Sequence, residues 1–512
     1  MTDERFRTAE HLTWDRLIAD SCARQGEAIA LESDDGDLLT YTDLGAAITT
    51  IRRRLRELGI GREDRVGIVI DQTPPDAVLL TSVMAAATAV PLRPGTARDD
   101  YDAILPRLRL RAIILPTELD DPARDAAARH GVPVLDADWS SSSRALTIAG
   151  PAAGPDAEDR VAAPDDFSLI SLTSGTTGRA KLVPRTHANV ADGSQRSQAR
   201  LPLRPHDRIV LLPNIANGYG QTKLSRALRI GGRIVFPPDD WMSRLPDVLA
   251  RHQPDWLAVT PHMLDVLLRR LPPGPFVGGE RLRFIQVSAA FLPETLRAAA
   301  ETRLGVPIRD SYGCSEALSV AYEGVGAPHL PGCIGKPVSE IRIVDERGVD
   351  LPPGEAGEII VHGPTVFPGY LDDPAANARA FTADGWFRIG DRGILHPNGY
   401  LSVLGRVDEV INRGGFKIDP SEVEAALLRH PAVADCAVTG VPHPSLSEEL
   451  AVVVVLEPEA HASVRELRRW ALDRLGAPKT PHVIGFAARL PRNPNGKVPR
   501  AELLRFLPTG GE

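Results

Sequence analysis

The sequence predicts an α/β protein, with a large N-terminal part of mainly parallel sheets and flanking helices, a small β-barrel-like subdomain, and a small α+β unit at the end. Three observations carry this. Short apolar, β-branched runs alternate with helix-period segments over about the first 300 residues. Near residue 341 the pattern turns to brief β pieces broken by Gly and Pro. A new helix-and-strand pattern starts after residue 405. Strands alternating with helices imply parallel sheets joined by crossover helices, because each apolar face must be covered by the next element.

In chain order, residues 44–58 carry apolar residues at helical spacing, 59–64 make a turn, and 65–70 (RVGIVI) read as a buried strand. Pro74 and Pro75 open a second helix in an apolar stretch reaching Val90, and 112–115 is again a strand. The alternation returns with strands at 208–212, 233–236, 256–260 and 284–287. Residues 145–166, rich in Ala, Pro, Gly and Asp, read as a connector. Between 341 and 399 the pieces IRIVD, GEIIVHG, GYL and WFRIGDRG read as hairpins or a small barrel. Beyond Gly405 a helix is expected at 421–428, with strands at 436–439 and 451–456. The expected division is 1–405 and 406–512.

The chain has 512 residues, 43% hydrophobic and 25% charged, which excludes wholesale disorder and fibrous repeats. A net charge of −8 argues against a nonspecific nucleic-acid binder but leaves room for a local anion site. Cys22, Cys314, Cys333 and Cys436 lie far apart without metal or redox spacing, and read as free thiols of a reducing compartment. The first residues, MTDERFR, show no targeting signal, and the most apolar run is too short to span a bilayer. A cytoplasmic protein with no membrane partner is expected. Of six lysines, Lys181, Lys417 and Lys497 sit among glycines.

The strongest local signal is LTSGTTGRAK, residues 172–181, following the strand-like FSLISL. Gly175 and Gly178 permit close backbone approach, Thr173, Ser174, Thr176 and Thr177 offer hydroxyls, and Lys181 offers charge, so the loop can wrap a polyphosphate. The spacing is neither a Walker loop nor GxGxxG. A solvated Ser/Thr/Gly turn is the competing reading.

Four more pieces follow in order: YGCSEA (312–317), GWFRIGDRG (385–393), GRVDEVINRGGFKI (405–418) and PRNPNGKVPR (491–500). With LTSGTTGRAK and LVPRTH, this ordered set resembles the adenylate-forming superfamily of acyl-CoA synthetases, stand-alone adenylation enzymes and luciferases. The resemblance implies a substrate-binding adenylation domain over 1–405 and a mobile C-terminal domain over 406–512. It implies ATP bound by the phosphate loop, Mg²⁺ held with the help of Glu316, Tyr312 beside adenine with Ser315 nearby, and Asp391 and Arg406 at the ribose. Lys497 would be the catalytic lysine, neutralising charge where a carboxylate meets the α-phosphate. Asp408 would be the hinge, and Lys417 would face an incoming thiol; a linker aspartate and a surface lysine are the alternatives.

This sequence departs from the family pattern at Ala180, Leu182, Ser315 and Ile389. The acyl-site stretch 214–220, NIANGYG, lacks the aspartate that holds an α-amino group in amino-acid-activating members. Asn217 resembles a residue of aryl-acid enzymes, a helix cap being its plainer reading, while Ser288, Ala289 and Gly313 would wall the site. The resemblance thus implies a small, aromatic or polar carboxylic acid, activated as acyl-AMP and passed to CoA. Loading of a separate carrier protein's phosphopantetheine, transfer to a nitrogen nucleophile, and a sensor without turnover are the alternatives.

Overall fold

The computed structural model describes residues 13–173, 180–272, 276, 279–414, 416–492 and 498–508. Two large sheets dominate. The first has seven strands in the order Ala145–Ala149, Val134–Ser140, Ala112–Pro116, Arg65–Val69, Thr88–Leu92, Phe167–Thr173 and Lys181–Thr186, parallel except at the two edges. The second has nine, from Lys336–Pro337 through Leu318–Tyr322, Ile308–Cys314, Phe284–Val287, Trp256–Val259, Arg208–Val210, Arg233–Phe236 and Ile29–Ser33 to Leu38–Thr40, and its interior is parallel.

One core joins them. Val66, Ile68 and Ile114 of the first sheet and Leu31, Ile234 and Trp256 of the second belong to a single cluster, with helix Pro74–Ala86 in it. That helix is apolar on all sides because all its faces are covered. Its start is fixed by a capping box between Thr73 and Asp76, and helix Tyr41–Glu57 begins in the same way on Thr40 and Asp43.

Two expectations need correcting. The apolar stretch to Val90 is not one helix: it ends at Ala86, and Thr88–Leu92 is a strand beside Arg65–Val69. The β-branched Thr88 and Val90 pack well on a pleated surface. Nor is 145–166 wholly a connector, since Ala145–Ala149 alternates buried Leu146 and Ile148 with exposed residues and zips onto the strand Val134–Ser140.

Of the hairpin and barrel alternatives for 341–399, hairpins form: Glu340–Val344, Ala356–His362, Phe387–Leu395 and Leu401–Arg406 make an antiparallel meander. The last sheet contains Ile411–Arg413, Phe416–Ile418, Val433–His443, Ser447–Leu456 and Val483–Phe486. Helix Pro420–Leu427, capped by Asp419, packs on it, matching the expected helix within a residue. No helix among the described residues is long and apolar enough to cross a membrane.

Candidate active site

Apart from Lys417, every described candidate residue lines one open cleft of about 3430 Å³, bordered by both large sheets, the meander and the last sheet. Ser174, Gly175, Thr176, Thr177 and Gly178 of the phosphate loop, and Lys497, lie outside the described residues. The strands that flank this candidate phosphate loop are described: Thr173 pairs with Lys181 across an antiparallel hairpin, and both residues line the cleft.

One polar group is built on strand register. Asp391 and Arg406 face each other on adjacent strands of the meander, and Arg406 Nη1 donates to Asp391 Oδ1 at 3.0 Å and to the Ile389 carbonyl at 3.1 Å. The Tyr312 hydroxyl, arriving from the second large sheet, donates to the other carboxylate oxygen. Burial pushes this phenol well above its usual range, and the Asp391 charge adds to the effect. Burial acts to lower the Arg406 guanidinium, but Asp391 and Asp408 overcome it and the net shift is upward. Gly390, at φ +80°, makes this approach possible, since a Cβ there would stand 3.0 Å from Arg406 Nη2. Asp408 accepts from Arg406 Nε at 3.2 Å within the turn Val407–Glu409.

A second group stands on the tight turn after Ile308–Cys314. Glu316 accepts from the Tyr370 hydroxyl at 3.0 Å, and Lys181 Nζ lies 3.5 Å from that hydroxyl and 4.6 Å from the ring centroid. Tyr370 was not singled out from the sequence, where GYL read only as a strand fragment. Its ring packs edge-on against Phe367 at 4.8 Å, which fixes the hydroxyl between cation and carboxylate.

The acyl-site candidates are also in place. Asn217 occupies the N-cap position of helix Gly218–Ile230. Ser288 Oγ donates to the Ser311 carbonyl at 2.8 Å, and Ala289 adopts φ +76°, an uncommon conformation for a residue with a Cβ. Gly313 leaves no room for a side chain against the Leu318 carbonyl, and Ser315 borders Gly218. Lys417 belongs to the strand Phe416–Ile418; its side chain lies outside the described residues.

The departures from the family pattern acquire reasons. Leu182 is buried in the first sheet's second cluster and its carbonyl accepts from the Leu371 amide at 3.1 Å. The Ala180 carbonyl accepts from Arg107 at 2.7 Å. Ile389 turns its side chain into a cluster with Phe367 and Phe387, so that position contributes its carbonyl, which orients Arg406. Sequence reasoning also missed Arg185 and Lys223, both 3% exposed and both lining the cleft. The signal for Lys223 was a lysine inside an otherwise core-facing helix.

Comparison with known proteins agrees with this geometry. The profile of the AMP-binding enzyme family matches residues 18–371, and that of the AMP-binding enzyme C-terminal domain matches 422–497. A sulfoacetate–CoA ligase of Cupriavidus necator is 34% identical over 484 residues, covering 93% of this chain and 94% of the relative. An oxalate–CoA ligase of Arabidopsis thaliana is 30% identical over 475 residues, covering 90% and 92%. The crystal structure of ATP-bound MatB from Rhodopseudomonas palustris superposes with a TM-score of 0.87 at 26% identity, covering 96% of this chain and 98% of that one. The chain belongs to the AMP-binding enzyme family. It is an adenylate-forming ligase that binds ATP.

Proposed function

We propose that the protein activates a compact carboxylic acid as its acyl-adenylate and passes the acyl group to the thiol of CoA. The observation that carries this reading is the pair of polar groups in one cleft. Tyr312, Asp391 and Arg406 suit a nucleoside, and Lys181, Tyr370 and Glu316 suit a triphosphate. Both relatives are named as CoA ligases of small acids, which supports the acceptor. The four cysteines form no disulfide, in keeping with a cytoplasmic setting.

In the first step a carboxylate oxygen of the acid attacks the α-phosphorus of ATP, the bond to pyrophosphate breaks, and acyl-AMP remains. Asp391 accepts hydrogen bonds from the ribose hydroxyls, Arg406 keeps Asp391 oriented, and the Tyr312 ring flanks the base. Lys181 meets the phosphates, and Tyr370 keeps its ammonium apart from the Glu316 carboxylate.

Magnesium fits the donor set. Glu316 is a carboxylate facing the cleft, and no cluster of three or more His, Cys, Asp or Glu that could hold a metal exists among the described residues. That suits a cation bound through one carboxylate and substrate phosphates rather than an all-protein cage. Bound there, it would screen the triphosphate charge.

Lys497, carried by a mobile domain over 406–512 with Asp408 at the pivot, would enter for the first step and withdraw for the second, bringing Lys417 toward the thiol. In that step the thiol sulfur attacks the acyl carbon and AMP departs with the electrons of the broken C–O bond. The test offers one activated acid to CoA and to a phosphopantetheinylated carrier protein in parallel. Rapid acyl-CoA formation is expected; negligible acyl-CoA beside fast carrier loading would overturn the choice of acceptor.

A further inference from the structure

The acyl end of the cleft holds positive charge that no described carboxylate pairs. Arg226, fully buried, donates to Gln286 Oε1 at 2.8 Å, Ser197 Oγ at 2.6 Å and the Tyr322 hydroxyl at 2.7 Å. Lys223 Nζ, one turn earlier on the same helix, donates to the same Gln286 oxygen at 3.1 Å and sits 4.5 Å over the Tyr219 ring. Two buried basic side chains therefore share one neutral amide oxygen.

Arg185 enters from the neighbouring strand Lys181–Thr186. Its Nε is buried without a hydrogen-bond partner, and its side chain makes no ion pair among the described residues. Its Nη2 lies against the first turn of helix Gly218–Ile230, 3.0 Å from where a Cβ on Gly218 would stand. Arg185 and Lys223 both line the cleft, and the buried Arg226 neighbours Lys223.

Burial and the neighbouring Arg226 hold the Lys223 ammonium well below its ordinary range, and no acidic group acts in the other direction. Burial lowers Arg185 to about 10, with Glu316 opposing the shift, so the guanidinium stays charged at neutral pH. A buried, unpaired cation is costly to maintain. An apolar acyl chain against these two groups would raise that cost, whereas an anion would remove it. The helix N-terminus beside Arg185 favours negative charge as well.

We propose that the acid bears a second anionic group, a carboxylate or a sulfonate at the end that is not adenylated, seated in the part of the cleft that Lys223 and Arg185 line. This rests on the acid-activating reading above and names its substrate class. The two basic side chains act as a specificity device: a monoanionic acid leaves Arg185 unpaired and the Lys223 ammonium disfavoured, and a dianionic one pairs with both.

The test measures acid-dependent ATP–pyrophosphate exchange with malonate, succinate and sulfoacetate, and with the monomethyl esters of malonate and succinate as neutral-ended controls. For the wild type, at least one dianion is expected to exceed the esters by about a hundredfold or more in kcat/KM. Lys223→Met, which replaces a buried charge with an apolar chain of similar length, is expected to fold, to lose most of that preference, and to keep its KM for ATP within about twofold. Arg185→Gln should likewise weaken the dianion and spare ATP.

Esters used as well as dianions, or a preference unchanged in Lys223→Met, overturns the proposal. A raised KM for ATP in Arg185→Gln with an unchanged KM for the acid assigns Arg185 to the triphosphate and overturns its part. Calorimetric titration of each dianion into the wild type and Lys223→Met separates this from the activity itself. If no acid supports exchange, the acid-activating reading fails. Dianion binding that Lys223→Met abolishes still supports the site, and no dianion binding at all overturns it.

Discussion

Replacing Asp391 by Asn tests the nucleoside side of the cleft with little change in volume. The wild-type carboxylate is held by Arg406 at 3.0 Å and by the Tyr312 hydroxyl. Arg406 is 39% exposed at its side chain, so solvent screens the ion pair and its loss should cost the fold at most about 1 kcal/mol. The cost to ATP is larger. On the proposed role, Asp391 would accept two charge-assisted hydrogen bonds from ribose hydroxyls, each worth about 1.5–3 kcal/mol, and Asn keeps one acceptor oxygen. Losing roughly half of the total, about 1.5–3 kcal/mol, raises the KM for ATP about ten- to a hundredfold. Initial-rate pyrophosphate exchange at varied ATP and saturating acid reads this directly, with a melting curve as the control for folding. A variant that melts as the wild type does and keeps its KM for ATP within twofold would refute the assignment of Asp391 to the nucleotide.

Tyr370→Phe keeps the ring contact with Phe367 but removes the hydroxyl between Lys181 and Glu316, so kcat in the exchange assay should fall about five- to thirtyfold with melting unchanged; an unaltered kcat removes Tyr370 from the site. Gly390→Ala imposes a side chain at φ +80° beside Arg406, and its KM for ATP should rise severalfold; wild-type nucleotide kinetics would show that Arg406 is not held there by close approach.

Asp310 supplies a pH test. Burial raises its carboxyl to about 7, against the opposing pull of Arg297 and the Ser311 amide, with Glu323 and Glu294 adding to the rise. The folded state thus holds a proton more tightly than the unfolded chain, and stability falls as pH rises from about 4 through 7, by at most about 4 kcal/mol. Asp310→Asn should flatten that slope in denaturant melts; an unchanged slope would assign the pH dependence to other groups.

How much of this was legible depends on sequence distance. Tyr312, Ser315 and Glu316 could be read together because one hairpin end and its turn carry all three. Asp391 and Arg406 were each found in a motif, but their pairing is set by cross-strand register, which fifteen residues of separation do not display. The strand Thr88–Leu92 was hidden because the preceding helix is buried on every face and shows no periodicity that could mark its end. The edge strand Ala145–Ala149 was obscured by the Gly, Pro and Asp that follow it. Arg185 lies inside LVPRTH and Lys223 inside a core-facing helix, yet their place in the cleft, like that of Tyr370, is set by elements far away in the chain. Ile389 stood out only as a departure from the family pattern, yet its side chain belongs to the core beneath.

The central claim is that this cleft joins a carboxylate to AMP, and incorporation of labelled pyrophosphate into ATP across a panel of acids measures that step alone, without CoA. The account predicts incorporation that depends on the acid and disappears in Lys497→Ala while ATP still binds. Undiminished incorporation in that variant, or none in the wild type with any acid, would contradict it.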